Sequence, residues 1–461
     1  MVDDPELKGG RLDASVLKKE DLLDYSEGDR IINISIIGAG YIGLTAAVVF
    51  ASKGHQVICV DTNKVKVDQI NQASSPIREV NLDDLLSTCV NVKKNLRAYS
   101  DHNETINSDI VFICVETPSK TNGEIDLTYI RNSAKEIGQA LAKANAYHVV
   151  VVKSTVVPGT TEGVIIPILE EYSLRKVGKD FGVAMVPEFL QEGNALHCFL
   201  NPDRIIIGEY DYRTGDMLQE IYNDFSSPIL RTDIRTAEMI KYAANAFLAT
   251  KVSFINEIGN MCRKLGIDTY EVAKGIGSDR RIGNKFLDAG IGFGGPCLPK
   301  DLEALINRAR ELDCETELLQ SVSNVNKKQP LKLIEIARKR LGNLSNKKIT
   351  VLGLAFKPNT GDVRQGSSLK IITQLLQEGA IVKVYDPWAM ANAKQIFSGS
   401  IEFCDNVLDA IAGSDCIIIA TEWDEFKDES LYNGKTVIDG RRILNPQKAK
   451  QLCQYYEGIC W

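Results

Sequence analysis

The chain has 461 residues, which at roughly 150 residues per domain predicts about three domains and more than one buried core. Charged residues make up 25% and hydrophobic ones 44%, a globular balance that excludes collagen-like, wholly disordered and many-spanning membrane chains. Fifty-four basic against 61 acidic side chains leave a net charge of −7, so nucleic acid and anionic membrane surfaces are not expected partners. The 11 cysteines are odd in number and form no CxxC pair, which argues against a disulfide framework or a zinc ribbon and for a reducing cytoplasm. Four histidines (His55, His102, His148 and His197) show no metal-ligand spacing, so the chemistry is expected to need neither a metal nor a histidine base.

Residues 1–30 are charged throughout, have no apolar signal region and read as a tail. No window reaches about 18 uninterrupted apolar residues, so a soluble, cytoplasmic protein is expected. From Ile31 the texture changes: IINISIIGAGYIGLTAAVVFASKGHQVICVD is strand, glycine turn, helix and strand. Further β-branched runs at Asp109–Val115 and His148–Val152 alternate with helical segments, the pattern of a buried parallel sheet covered on both faces. This first α/β unit is placed at 31–225. Residues 226–330 read as a helical connector, with TAEMIKYAANAFLATKVSFINEIGNMCRKLGI apolar all around a long helix, which suggests burial against another domain or a second subunit. The α/β texture returns over 331–461. The fold class expected is therefore α/β, with two Rossmann-like, doubly wound parallel-sheet domains joined by a helical central domain.

Four constellations carry chemistry. Gly38-Ala-Gly40-Tyr-Ile-Gly43 follows a strand and opens a helix, and Asp61 closes the next strand. That context makes a dinucleotide cradle, with pyrophosphate at the helix N-terminus and Asp61 on a ribose hydroxyl, favouring NAD over NADP. The alternative for Asp61 is a simple cap for the following helix. Gly294-Gly295-Pro296-Cys297-Leu298-Pro299-Lys300-Asp301 places Cys297 just before a helix N-terminus beside a lysine. Both features are expected to depress its thiol pKa and favour a nucleophilic thiolate. The other ten cysteines read as small core hydrophobes. Lys241 and Asn245, at i and i+4, share a helix face as donors for a developing oxyanion, although a helical lysine is ordinarily solvated. Lys153-Ser-Thr155 and Pro187-Glu188 each follow a strand, on the edge where ligands bind open α/β sheets, and ordinary turn chemistry explains either equally well.

Together these stretches resemble the UDP-glucose 6-dehydrogenase family, within the nucleotide-sugar 6-dehydrogenases. The resemblance runs from about Ile31 to Leu444 and rests on GAGYIGL, VETPSK, KSTVVPGT, VPEFLQEGNAL, NPDRIIIG, KYAANAFLATKVSFINE, DRRIGNKFLDAGIGFGGPCLPKD, FKPNTGDVRQGSS, TEWDEF and DGRRIL. It implies a four-electron oxidation of the sugar C6 hydroxyl by two NAD, with Cys297 forming a thiohemiacetal and then a thioester that water hydrolyses. Lys241 and Asn245 would stabilise the oxyanion, Asp301 would assist the hydrolytic water, and Thr155 and Glu188 would hold water in the site. By the same resemblance Glu188, Phe189, Leu190, Lys241, Asn245, Arg281, Phe286, Gly294, Cys297, Lys357 and Arg441 would hold the UDP-sugar, with Arg281 reaching the neighbouring subunit of a homodimer or larger homo-oligomer. Gly38, Gly40, Tyr41, Ile42, Gly43, Asp61, Lys66, Thr117, Thr155, Glu192, Lys300 and Arg364 would flank NAD. Some positions depart from common bacterial versions, such as Val186 before Pro187-Glu188 and Gln365-Gly366 after Arg364. Three alternatives stay open: a sister enzyme for a UDP-N-acetylhexosamine or GDP-mannose, a non-catalytic nucleotide-sugar binder, and a two-electron hydroxy-acid oxidoreductase.

Overall fold

The structure is a computed structural model that describes residues 30–461. Apart from Arg30, the expected tail lies outside the described residues. The first sheet holds β1 (Asn33–Ile37), β2 (Gln56–Val60), β3 (Leu96–Tyr99), β4 (Ile110–Ile113), β5 (Val149–Val152), β6 (Gly182–Met185), β7 (Ile205–Glu209) and β8 (Ile229–Asp233). Their spatial order is β3-β2-β1-β4-β5-β6-β7-β8, parallel throughout except where β7 runs antiparallel to β6. The order reverses between β1 and β4, the switch point at which ligands of doubly wound sheets bind. The central strands read as unbroken apolar runs because helices cover both faces: β4 (IVFI) and β5 (VVVV) are buried at every position.

The second sheet, all parallel, holds β9 (Lys348–Leu352), β10 (Ile381–Tyr385), β11 (Glu402–Phe403), β12 (Cys416–Ile419), β13 (Thr436–Asp439) and β14 (Tyr455–Gly458) in the order β11-β10-β9-β12-β13-β14. It echoes the first at its opening turn. The Gly38 amide donates to Val60 O at 2.7 Å and the Gly353 amide to Tyr385 O at 2.8 Å, and each next residue donates its amide to the acid ending the second strand, Ala39 to Asp61 and Leu354 to Asp386.

One helix joins the two units. It runs Ile234–Leu265 for 32 residues, about 48 Å at 1.5 Å per residue. The Asp233 carboxylate accepts from the Thr236 amide to start it, and Gly266 ends it with φ +69°. Ile234 and Ala237 lie in the core of the first unit, while Ile255 lies in the core of the second. The middle of this bridging helix packs on the helices Leu298–Glu311 and Glu317–Lys328 through Ala246, Ala249, Phe293, Leu302, Ile306 and Val322. Its remaining face keeps Met239, Phe247, Phe254, Met261 and Leu265 exposed. The all-round apolar sequence thus divides into two buried ends, one packed flank and one bare stripe. No described helix is long and apolar enough to cross a membrane.

Candidate active site

The glycine turn expected to cradle a dinucleotide is built from local backbone requirements. Gly38 has φ +101°, and a Cβ there would lie 2.9 Å from the Cys114 carbonyl oxygen. A Cβ at Gly43 would lie 1.8 Å from the Gly38 oxygen, so the helix Tyr41–Ser52 can seat against the turn only without a side chain there. Gly40, the N-cap of that helix, faces open space within 4 Å, which leaves room for a phosphate against the unpaired amides of the first turn. Asp61 accepts from the Ala39 amide at 2.8 Å and the Asn63 amide at 2.8 Å and lies 3.7 Å from the Lys66 ammonium. The carboxylate therefore latches the turn and holds Asn63, which itself caps the helix Lys64–Asn71 by accepting from the Val65 amide, and it stays partly open to solvent. Ile42 packs into the core beneath the turn. Tyr41 donates to the Arg78 carbonyl at 3.5 Å, and burial together with Glu192 pushes its phenol well above the ordinary value.

Next to this cradle the strand-end loops converge. Thr117 donates to the Thr155 carbonyl at 2.8 Å, tying the loop after β4 to the loop after β5. Glu188, just beyond β6, accepts from the Leu190 amide at 2.6 Å and from Lys241 Nζ at 3.0 Å. Both side chains of that ion pair are about 95% buried. Burial alone would neutralise each. The Lys241 charge holds the Glu188 carboxyl below its ordinary value, and Glu188 followed by Asp301 and Cys297 lifts the Lys241 ammonium above its own. Asn245, one turn on, donates to Asp301 Oδ2 at 2.6 Å, and Lys300 Nζ donates to Asp301 Oδ1 at 2.7 Å. Lys241 and Asn245 do share a face, and that face is buried rather than solvated.

Cys297 is the N-cap of the helix Leu298–Glu311, with Pro299 in its first turn. The two glycines before it let the loop lie flat on the second unit: a Cβ at Gly294 would meet the Gln365 carbonyl at 2.6 Å and one at Gly295 the Phe356 ring at 2.7 Å. The Gly295 amide donates to the Arg364 carbonyl at 3.0 Å. The residue is accessible, yet its thiol is not the depressed one expected from the helix end and Lys300. Burial of the sulfur in the cleft, then the Glu188 and Asp301 carboxylates, push it up to about 12 against the opposing pull of Lys241 and Lys300. The sequence puts Lys300, Asp301 and a helix end near the sulfur, while the fold adds Lys241 and Glu188 and removes water. A second correction concerns the remaining cysteines. Eight of the ten are buried, but Cys198 is half-buried and Cys314, in the turn that follows the same helix, is exposed.

Residues 32–226 match the NAD binding domain of the UDP-glucose/GDP-mannose dehydrogenase family, 235–328 its central domain and 350–446 its UDP binding domain. The chain belongs to the UDP-glucose/GDP-mannose dehydrogenase family. It is 43% identical to the UDP-glucose 6-dehydrogenase AglM of Haloferax volcanii over 90% of this chain and 97% of that one. It is 39% identical to the GDP-mannose 6-dehydrogenase of Pseudomonas putida over 93% of this chain and 100% of that one. Among solved structures, a UDP-glucose dehydrogenase from the archaeon Pyrobaculum islandicum superposes with a TM-score of 0.90 at 38% identity, covering 95% of this chain and 99% of that one. An NAD-dependent dehydrogenase fold, with the Gly38–Gly43 cradle in its cofactor domain, is thereby assigned.

Other anticipated residues of this dehydrogenase fall into two groups. Lys357 is half-buried within electrostatic reach of Glu192, Glu79, Cys198 and Cys297, with burial drawing its ammonium below the ordinary value. Arg441 donates to the Ala420 carbonyl at 3.1 Å and reaches the Gly292 carbonyl at 3.4 Å, joining the second sheet to the cysteine loop. Glu192 accepts from Thr360 across the two units at 2.5 Å. Arg364 is exposed and folded onto Asp362 at 2.5 Å. Phe189 lies beneath Arg204 and Lys241, at 4.1 Å and 5.3 Å from the two cations. Arg281 is not brought to this site: its guanidinium is 88% exposed and bonded to Asp279 of its own loop. Phe286 sits on that same loop at φ +63°. Two supporting carboxylates escaped the sequence reading. Glu79 accepts from the Gly193 and Ala195 amides, and Glu238 from the Gly159 and Thr161 amides. Each shapes a site loop from a distant segment, which no local pattern announces.

Proposed function

We propose that this chain oxidises UDP-glucose at C6 to UDP-glucuronate, using two NAD and one water per sugar. The observation that carries the reading is Cys297 at the mouth of a buried Lys241, Asn245, Asp301 and Glu188 network, beside a cradle shaped for a dinucleotide. Bound there, NAD supplies the hydride acceptor. Lys241 and Asn245 present N–H donors toward the position where the C6 oxygen gains charge. Cys297 adds to the C6 aldehyde, which forms a C–S bond and keeps the aldehyde from escaping. After the second two-electron oxidation, water cleaves that bond, returning the thiol and leaving the carboxylate. Asp301, held by Asn245 and Lys300, accepts the proton of that water, and Thr155 and Glu188 hold it in the site. Lys357 and Arg441 bring positive charge to the diphosphate side of an otherwise acidic protein.

Two NADH released per UDP-glucose consumed is the expected stoichiometry, measured by absorbance at limiting sugar. One NADH per sugar would instead fit a two-electron oxidoreductase. GDP-mannose and a UDP-N-acetylhexosamine belong in the same assay, and turnover of either without UDP-glucose would overturn the substrate assignment. The GDP-mannose reading keeps its place beside the first because a GDP-mannose enzyme is as similar, at 39%, as several of the UDP-glucose ones.

The exposed stripe Met239, Phe247, Phe254 and Met261 on the bridging helix fits a second copy of the chain in a homodimer or larger homo-oligomer. Light scattering is expected to give at least a dimer at micromolar concentration, and Phe247→Asp with Phe254→Asp to shift it toward monomer. A wild-type monomer would remove this reading. The cytoplasm is the proposed compartment, since every cysteine among the described residues is a free thiol.

A further inference from the structure

Lys153 follows directly on β5, between the strand β4 that runs out into Cys114 and the strand β6 that leads toward Glu188: Ile113 pairs with Val152, and Val152 with Met185. The residue is 4% exposed. Its ammonium lies over the Phe199 ring, 5.3 Å from the centroid, and is neither ion-paired nor hydrogen-bonded to any described residue. The titratable groups facing it are Cys114 on the β4 side, Glu188 beyond β6 and Lys241 on the bridging helix. Lys241 in turn faces Asp301 and Cys297.

The fold thus buries two ammonium groups around one carboxylate. Glu188 does not need the second cation for hydrogen bonding, because Oε1 is taken by Lys241 and Oε2 by the Leu190 amide. An ammonium at a residue only 4% exposed and bonded to no described residue loses most of its hydration, and a methionine of similar length would fill the same space without that cost. The charge therefore serves something other than the fold. Lys241 spends one of its three N–H groups on Glu188, so a sugar oxygen that gains negative charge can draw the ammonium toward itself, and the buried carboxylate, losing part of its compensation, opposes that movement. Lys153 stays in place while Lys241 moves.

We propose that Lys153 is a positioning residue of this site, a fixed countercharge that keeps Glu188 compensated while Lys241 turns from Glu188 to the oxygen of the bound sugar. This inference rests on the function proposed above. Lys153 touches neither sugar nor thiol and acts through Glu188.

The test compares wild type, Lys153→Met and Lys153→Arg with UDP-glucose and NAD. Wild-type turnover comes first: its absence would overturn the substrate reading, whereas the following outcomes judge Lys153 itself. In Lys153→Met, kcat is expected to fall about 10- to 100-fold, with KM for the sugar within about twofold and the melting temperature unchanged or raised. Lys153→Arg recovers most of kcat. The acid limb of kcat/KM moves to higher pH in Lys153→Met, because removing a cation near Glu188 raises the carboxyl's pKa. Wild-type kcat in Lys153→Met, a lowered melting temperature or failure to fold in that variant, or an unshifted acid limb would each overturn the proposal.

Discussion

Alanine in place of Cys297 is expected to abolish sustained NADH release from UDP-glucose, a loss of at least about 10³-fold. The melting temperature should stay within a few degrees of wild type, because the residue is exposed and its removal empties no core. Serine should slow the reaction at the covalent stage, since a hydroxyl is a poorer nucleophile and a poorer leaving group than a thiol. Wild-type-like turnover by the alanine variant would remove covalent capture from the scheme. The raised thiol adds a second readout that needs no substrate. Pushed up to about 12 by burial and the two carboxylates, the thiol stays protonated at neutral pH. Alkylation of Cys297 in the free protein should therefore be slow at pH 7 and quicken about tenfold per pH unit toward pH 10. The measurement needs a Cys314→Ser background, since Cys314 is also exposed. Fast alkylation at pH 7 would mean that the helix end and Lys300 outweigh Glu188 and Asp301.

Lys241→Met is expected to be the most damaging change away from the sulfur. It breaks a 3.0 Å ion pair with both partners about 95% buried; removing one partner of such a pair costs about 3–5 kcal/mol, here toward the lower end because Lys153 still faces Glu188. The rate should fall about 10²- to 10³-fold as a donor to the developing oxyanion is lost. Lysine-to-arginine should not restore it, because a planar fork does not replace a point ammonium in a closed site. The pH dependence separates the two effects. In the wild type the Glu188 carboxyl is held below its ordinary value, so the stability it adds is present above the unfolded value near 4.5 and is lost as pH falls through the lower, folded one. In Lys241→Met the carboxyl shifts upward, and acidification from neutral pH toward that value should stabilise the variant relative to wild type. Adding Glu188→Gln should restore the melting temperature while leaving the rate low. Recovery of the rate in the double variant would show that Lys241 matters only as the partner of Glu188.

What could be read along the chain was what depends on near neighbours. The Gly38 to Gly43 turn, its helix and Asp61 fall within one βαβ unit, and each glycine answers a steric demand made by residues close by. Pro299 marked a helix start and so placed Cys297 at its cap. The i, i+4 spacing put Lys241 and Asn245 on one face. None of these cues reports which anions the fold brings from elsewhere. The sign of the Cys297 shift was misjudged for that reason, since Lys300 is a sequence neighbour while Glu188 comes from a different domain. Cysteine is usually a core residue, and nothing local records that the turn holding Cys314 faces solvent. The surroundings of Lys153, a phenyl ring and a carboxylate already bonded elsewhere, come from other segments, so nothing beside it in the chain announces them.

The order of strands and helices and the glycine turn from Gly38 to Gly43 were determined by the sequence alone, because hydrophobic period, glycine sterics and capping act over a few residues. The protonation of Cys297, the pairing of Lys241 with Glu188, the isolation of Lys153 and the bare stripe on the bridging helix were decided only by the tertiary structure. Coulomb energies in a water-poor cleft depend on distances between segments far apart in the chain and on how much solvent the fold removes, and neither is encoded at any one position.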